Sequence, residues 1–129
     1  FSEVRLGLAP AVISSFVSNK VSSSDMSRWF LTAEVFDSLQ AKSMGLVHEI
    51  AVPSTIKEVT EDILDKICVN GPMAVRATKM LINNLRDTKD IKTMTTKLIA
   101  QLRVSDEGQE GLSSFFEKRE SSWSRREGN

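Results

Sequence analysis

Cysteine and histidine are almost missing from this chain, and neither sign of charge is in excess. Cys68 is the one cysteine and His48 the one histidine. A disulfide within the chain is excluded, and an unpaired thiol suits a reducing compartment better than a secreted framework. One imidazole and one thiol so far apart give no zinc-type ligand set, so no metal is expected. Seventeen basic side chains offset seventeen acidic ones. No overall field draws the chain to nucleic acid or to an anionic membrane surface, and a charged ligand has to be held by local groups. No run approaches the ~20 apolar residues of a membrane span, and no basic segment leads into an apolar one at the start. The expectation is an intracellular, soluble protein that binds neither membrane nor nucleic acid.

What is present is enough for one compact domain, since 129 residues of which 40% are hydrophobic can bury roughly two-thirds of the unfolded surface. Residues 3–8 alternate Val4 and Leu6 with Glu3 and Arg5, which predicts a short strand or extended segment. The opening at Phe1 reads as an element already under way, so a segment upstream is expected. Gly7 and Pro10 punctuate, and a helix follows through Val12, Ile13, Phe16 and Val17. Asp25 is the expected N-cap of the next helix, whose Met26, Trp29, Phe30 and Ala33 fall on one face. A short helix from Asp37 closes at Gly45, and residues 46–50 have the bulk of a strand that Pro53 ends.

Helical spacing then takes over. Ile56, Val59, Ile63, Leu64 and Ile67 follow a capping box of Thr55 and Glu58. Pro72 begins a helix with Ala74, Ala77, Leu81 and Leu85 on one side. Asp90 begins another, with Ile91, Met94, Leu98 and Leu102 inward, and Ser105-Asp106 a last one, with Leu112, Phe115 and Phe116 on its apolar side. Cys68 is expected as a small buried hydrophobe. The tail from Ser121, with Arg119, Arg125 and Arg126 near it, reads as polar, solvated and frayed, and Trp123 either packs on the last helix or hangs free. The fold class is α+β, mainly α, with residues 1–52 an α/β piece and residues 53–129 a helical assembly.

Four stretches carry a resemblance. Phe1-Ser2-Glu3-Val4-Arg5-Leu6-Gly7-Leu8-Ala9-Pro10 is similar to a segment in which F-x-x-P-E leads into R-L-G-L-x-P. Leu31-Thr32-Ala33-Glu34, followed by Ala41-Lys42-Ser43-Met44-Gly45-Leu46-Val47, is similar to an L-T-G…A…A…G-L-V stretch. Gly71-Pro72-Met73-Ala74-Val75 ahead of Lys79 adds a third, and residues 106–119, Asp106 through Gly111-Leu112 to Phe116-Glu117-Lys118-Arg119, resemble a closing E-G-x-x-A-F-x-E-K-R helix. In this order they resemble the C-terminal half of the enoyl-CoA hydratase/isomerase, or crotonase, family. Pro10-Ala11-Val12-Ile13-Ser14, standing where many relatives have a Gly-rich run, resembles the methylglutaconyl-CoA hydratase-like branch.

The resemblance implies the C-terminal part of the crotonase spiral fold, with residues 1–52 ending its α/β core and residues 53–129 forming a helical oligomerisation region that makes trimers or dimers of trimers. It implies an acyl-CoA thioester as substrate, no permanently bound cofactor, and a mitochondrial or bacterial cytoplasmic home. Hydrating a 2-enoyl thioester needs one group to activate water, one to protonate the α carbon, and donors to the enolate oxygen. Glu3 matches the second of the family's two catalytic glutamates, although Ser2 stands where relatives carry proline. The first glutamate and the oxyanion donors match nothing in these residues. Phe115 and Lys118 match positions that reach the coenzyme A moiety, in the same or a neighbouring subunit, with a ring for adenine and an ammonium for phosphate. His48 matches no family role. A non-catalytic oligomerisation module of the same family stays open beside the enzyme reading.

Relatives cover the segment near Glu3 with earlier strands, so the chain alone is expected to expose apolar surface and to self-associate. Sedimentation as a clean monomer at roughly tens of micromolar counts against that expectation.

Overall fold

The computed structural model describes residues 1–85 and 88–124. The chain divides into two compact units, Phe1–Ile56 and Lys57–Asn129. Among the described residues there is no strand, and no helix is long and apolar enough to cross a membrane.

The first unit opens with a single 3-10 turn, Glu3–Leu6, where a strand is expected. A strand needs a neighbour for its backbone groups, whereas this turn satisfies them locally. The Arg5 amide donates to the Ser2 carbonyl at 3.0 Å, Gly7 to Val4 at 3.2 Å and Leu8 to Glu3 at 3.1 Å. Gly7 closes the turn at φ 73°, a left-handed conformation that glycine adopts without strain. The second expected strand, residues 46–50, is likewise irregular. There the Leu46 and Val47 amides both turn back onto the Ala41 carbonyl.

Three helices complete this unit: α1, Ala11–Val17; α2, Ser23–Thr32; and α3, Ser38–Ser43. The N-cap of α2 is Ser22 rather than Asp25. The Ser22 hydroxyl accepts the Asp25 amide at 3.1 Å and donates to the Asp25 carboxylate at 2.7 Å, placing Asp25 in the first turn where the helix dipole favours an anion. The capping box belongs to α3, where the Asp37 carboxylate accepts the Gln40 amide at 2.8 Å and the Gln40 side chain accepts the Asp37 amide at 3.0 Å. At the position expected for a box, the Thr55 hydroxyl donates to the Val52 carbonyl. The apolar face of α2 packs as its spacing predicts. Trp29 is 6% exposed and joins Val17, Val21, Ala41 and Met44 in the core, with Phe1, Met26, Phe30, Phe36 and Leu46 packed against it.

In the second unit four helices follow the boundary: α4, Ile56–Cys68; α5, Pro72–Asn84; α6, Ile91–Arg103; and α7, Asp106–Glu117. Pro72 occupies the first turn of α5. Asp90 caps α6 by accepting the Thr93 amide at 3.1 Å. Hydrogen bonds from the Thr93 side chain and then its backbone hold the Asp90 carboxyl below the usual carboxylate value. Ser105 caps α7 through the Gly108 amide, and the turn is so tight that a β-carbon on Gly108 collides with the Leu102 carbonyl. From α7, the Glu107 carboxylate accepts the Met73 and Ala74 amides at the start of α5, each at 2.8 Å.

Burial separates the units. Helices α4, α5 and α6 contain no buried residue. Of their expected inward faces, Val59, Ala77, Leu81, Met94, Leu98 and Leu102 are half-buried, while Ile63, Ile67 and Ile91 are exposed. Cys68, expected in a core, is exposed because it ends α4, a helix with no core beneath it in this chain.

The first unit depends on Trp29. Replacing it with alanine is expected to lower stability by about 3–5 kcal/mol, read by urea denaturation followed in far-ultraviolet circular dichroism; an unchanged midpoint contradicts the packing described.

Candidate active-site and coenzyme-contact residues

Glu3 begins the first turn and is half-buried. Its Oε2 is buried and has no hydrogen-bond partner. A buried carboxylate oxygen without a donor is costly, and native structures keep few of them. Phe1 meets Phe30 edge-on at 4.7 Å and Phe36 at 5.5 Å, and Phe36 meets Trp29 at 5.2 Å.

Phe115 and Lys118 lie in the second unit, at the C-terminal end of α7. Phe115 is 76% exposed and Phe116 75%, so neither ring packs inward with Leu112 as helical spacing predicts. The two rings instead stack edge to face on the surface, with centroids 5.7 Å apart. Lys118 caps the helix at φ 53°, an uncommon conformation for a side chain with a β-carbon. The structure thus brings Phe115 and Lys118 to one helix end, while Glu3 belongs to the other unit. His48 is exposed in the irregular stretch after α3.

Beyond Lys118 the chain is not frayed up to Ser124. Arg119 forms a two-pronged pair with the Glu110 carboxylate at 2.7 and 2.8 Å and a further bond to Glu117 at 2.7 Å. Those bonds, Glu110 first, raise the guanidinium pKa. The Ser122 amide donates to Glu110 at 2.9 Å. A β-carbon on Gly111 would lie 3.3 Å from the Trp123 ring, so Trp123 packs on α7. Arg119 is part of a strap over the helix and not of a solvated tail; Arg125 and Arg126 lie outside the described residues. No local spacing announces the Glu110–Arg119 fork or the Glu107 contacts, because their partners are brought together by the fold.

An open groove of about 480 Å³ runs between α1 and α2, lined by Ser14, Ser15, Ser18, Met26, Phe30 and Leu31 among others. Glu3 does not line it. The serine hydroxyls at 14 and 15 donate to carbonyls of their own helix.

The sequence and the arrangement of helices find their match in one family. The family model described as enoyl-CoA hydratase/isomerase matches residues 1–126. A crystal structure of an enoyl-CoA hydratase from Shewanella pealeana superposes with a TM-score of 0.83 at 38% identity, covering 95% of this chain and 46% of that one. AtuE of Pseudomonas aeruginosa superposes at 0.87 and 29% identity, covering 96% and 49%. An enoyl-CoA hydratase of Alternaria alternata is 29% identical over 117 residues, 88% of this chain and 39% of its own length. The chain belongs to the enoyl-CoA hydratase/isomerase family, and its helices form the C-terminal part of the crotonase fold. It spans about half the length of the relatives it matches.

The strap has a direct readout. Arg119→Gln is expected to release it, shifting Trp123 emission to the red and increasing quenching by acrylamide, with Trp29 as the buried background. Unchanged quenching means that the Glu110 fork does not hold Trp123.

Proposed function

We propose that this chain is the C-terminal portion of an enzyme that hydrates a 2-enoyl-CoA thioester, with Glu3 as one of its two catalytic carboxylates. The observation that carries the reading is the buried, unpartnered Oε2 of Glu3 at the position where the family's motif has its glutamate. Hydration places the hydroxyl of water on the β carbon and its proton on the α carbon, so a carboxyl group that takes up and returns a proton is the chemistry required. The other carboxylate and the donors for the enolate oxygen come, in this reading, from the part of the family fold outside these residues. The exposed Phe115 ring supports a role against adenine, and the exposed Lys118 ammonium a role at a phosphate of coenzyme A.

A second reading, a non-catalytic oligomerisation module, is favoured by a different observation. Helices α4, α5 and α6 contain no fully buried residue, and Ile63, Ile67 and Ile91 stay exposed, which leaves apolar surface for other copies. In both readings the chain assembles.

The decisive experiment follows loss of thioester conjugation in the ultraviolet with a short 2-enoyl-CoA. In the full-length protein Glu3→Gln is expected to lower the rate by about 10²–10⁴. The 129-residue chain alone, without oxyanion donors, is expected to be slower still by on the order of 10² or more than the full-length protein. A full-length protein with no turnover at all supports the assembly module, and Glu3→Gln at the wild-type rate removes Glu3 from the mechanism.

A further inference from the structure

We propose that Arg5 is a positioning residue for Glu3, a role that rests on the catalytic reading of that glutamate. Helix α2 ends at Ala33, which is 3% exposed and adopts the left-handed conformation at φ 50°. The last carbonyls of a helix have no amide within the helix to bond them, and they carry the negative end of its dipole. Arg5 Nη2 donates to the Ala33 carbonyl at 2.7 Å across 28 residues of sequence. A charged donor at a helix C-terminus makes a strong, directional bond.

The consequence for Glu3 comes from the turn that holds both residues. Glu3 and Arg5 share the 3-10 turn Glu3–Leu6, whose backbone bonds at Ser2, Glu3 and Val4 leave little freedom between them. On the near side Phe1 is fixed against Phe30 and Phe36. On the far side Arg5 is fixed to Ala33. Glu3 is suspended between these two anchors. No donor restrains its Oε2, so the turn, held by the anchors at Phe1 and Arg5, fixes the point from which the Glu3 side chain leaves the backbone. Arg5 does not need to touch a substrate to act: it keeps the reacting oxygen within the narrow range of positions that proton transfer requires, where a misplacement near 1 Å costs on the order of 10²-fold.

The test uses the full-length enzyme with a 2-enoyl-CoA substrate. Arg5→Met keeps the stem and removes the donors, and Arg5→Lys restores one charged donor. Arg5→Met is expected to lower kcat by at least about tenfold while KM stays within about twofold, because the loss falls on the oxygen that moves the proton and not on the binding of the thioester. Arg5→Lys is expected to recover part of kcat. A kcat for Arg5→Met equal to wild type, or a loss carried by KM, overturns the positioning role. Should Arg5→Met fail to fold, Arg5→Lys decides alone: wild-type kcat and KM overturn the role, and a selective drop in kcat supports it. Glu3→Gln at the wild-type rate overturns the reading of Glu3 itself, an outcome separate from an inactive Glu3→Gln beside a fully active Arg5→Met.

Discussion

The packing of Phe1 against Phe30 and Phe36 is the constraint on which the first unit turns. Each edge-to-face or tilted ring pair contributes about 0.5–1.5 kcal/mol beyond its buried area. The pairs recorded here also connect elements: Phe1 to α2, and Phe36, in the link before α3, to both Phe1 and Trp29. The core beneath is small, made of Val17, Val21, Trp29, Ala41 and Met44. An aromatic lid that closes over so few aliphatic side chains fixes where the 3-10 turn stands, and the turn in turn fixes the glutamate. The proposed chemistry of Glu3 and the packing of the first unit therefore share the same few residues.

The second unit is organised on the opposite principle. Its helix starts are set by polar contacts: Asp90 on Thr93, Ser105 on Gly108, and Glu107 reaching from α7 to the first amides of α5. Its apolar side chains are left largely outside. Helices of 12 or 13 residues are marginal in water unless an apolar face is covered. The polar caps set register and direction, while Ile63, Ile67, Ile91 and other apolar side chains of these helices stay exposed.

Helices were legible in the sequence where a periodic face met a cap. The stripe of Met26, Trp29, Phe30 and Ala33 is real, as are the stop at Gly45 and the starts at Pro72, Asp90 and Ser105. The strands were not, because alternation over four residues at Glu3–Leu6 suits a 3-10 turn as well as a strand, and only a pairing neighbour decides between them. Burial differs from expectation at Cys68 for a related reason. Helical spacing tells which side chains share a face, and not whether anything lies against it. Glu3 stood out through its motif alone, and composition says nothing in its favour. Arg5 to Ala33 and Glu110 to Arg119 pair across distances that no spacing rule covers.

The Glu107 bridge carries one more meaning. A β-carbon on Gly71 would fall 2.5 Å from the Glu107 Oε1, so the carboxylate of α7 already fills the space that a side chain at position 71 would claim. An alanine there forces the end of the Glu107 side chain to shift, and with it the acceptor of the Met73 and Ala74 amides. The bare turn before α5 is thus a keyhole cut for a residue of another helix. Its emptiness makes room for the carboxylate that bridges the two helices, and the smallest added side chain at that point makes the bridge move.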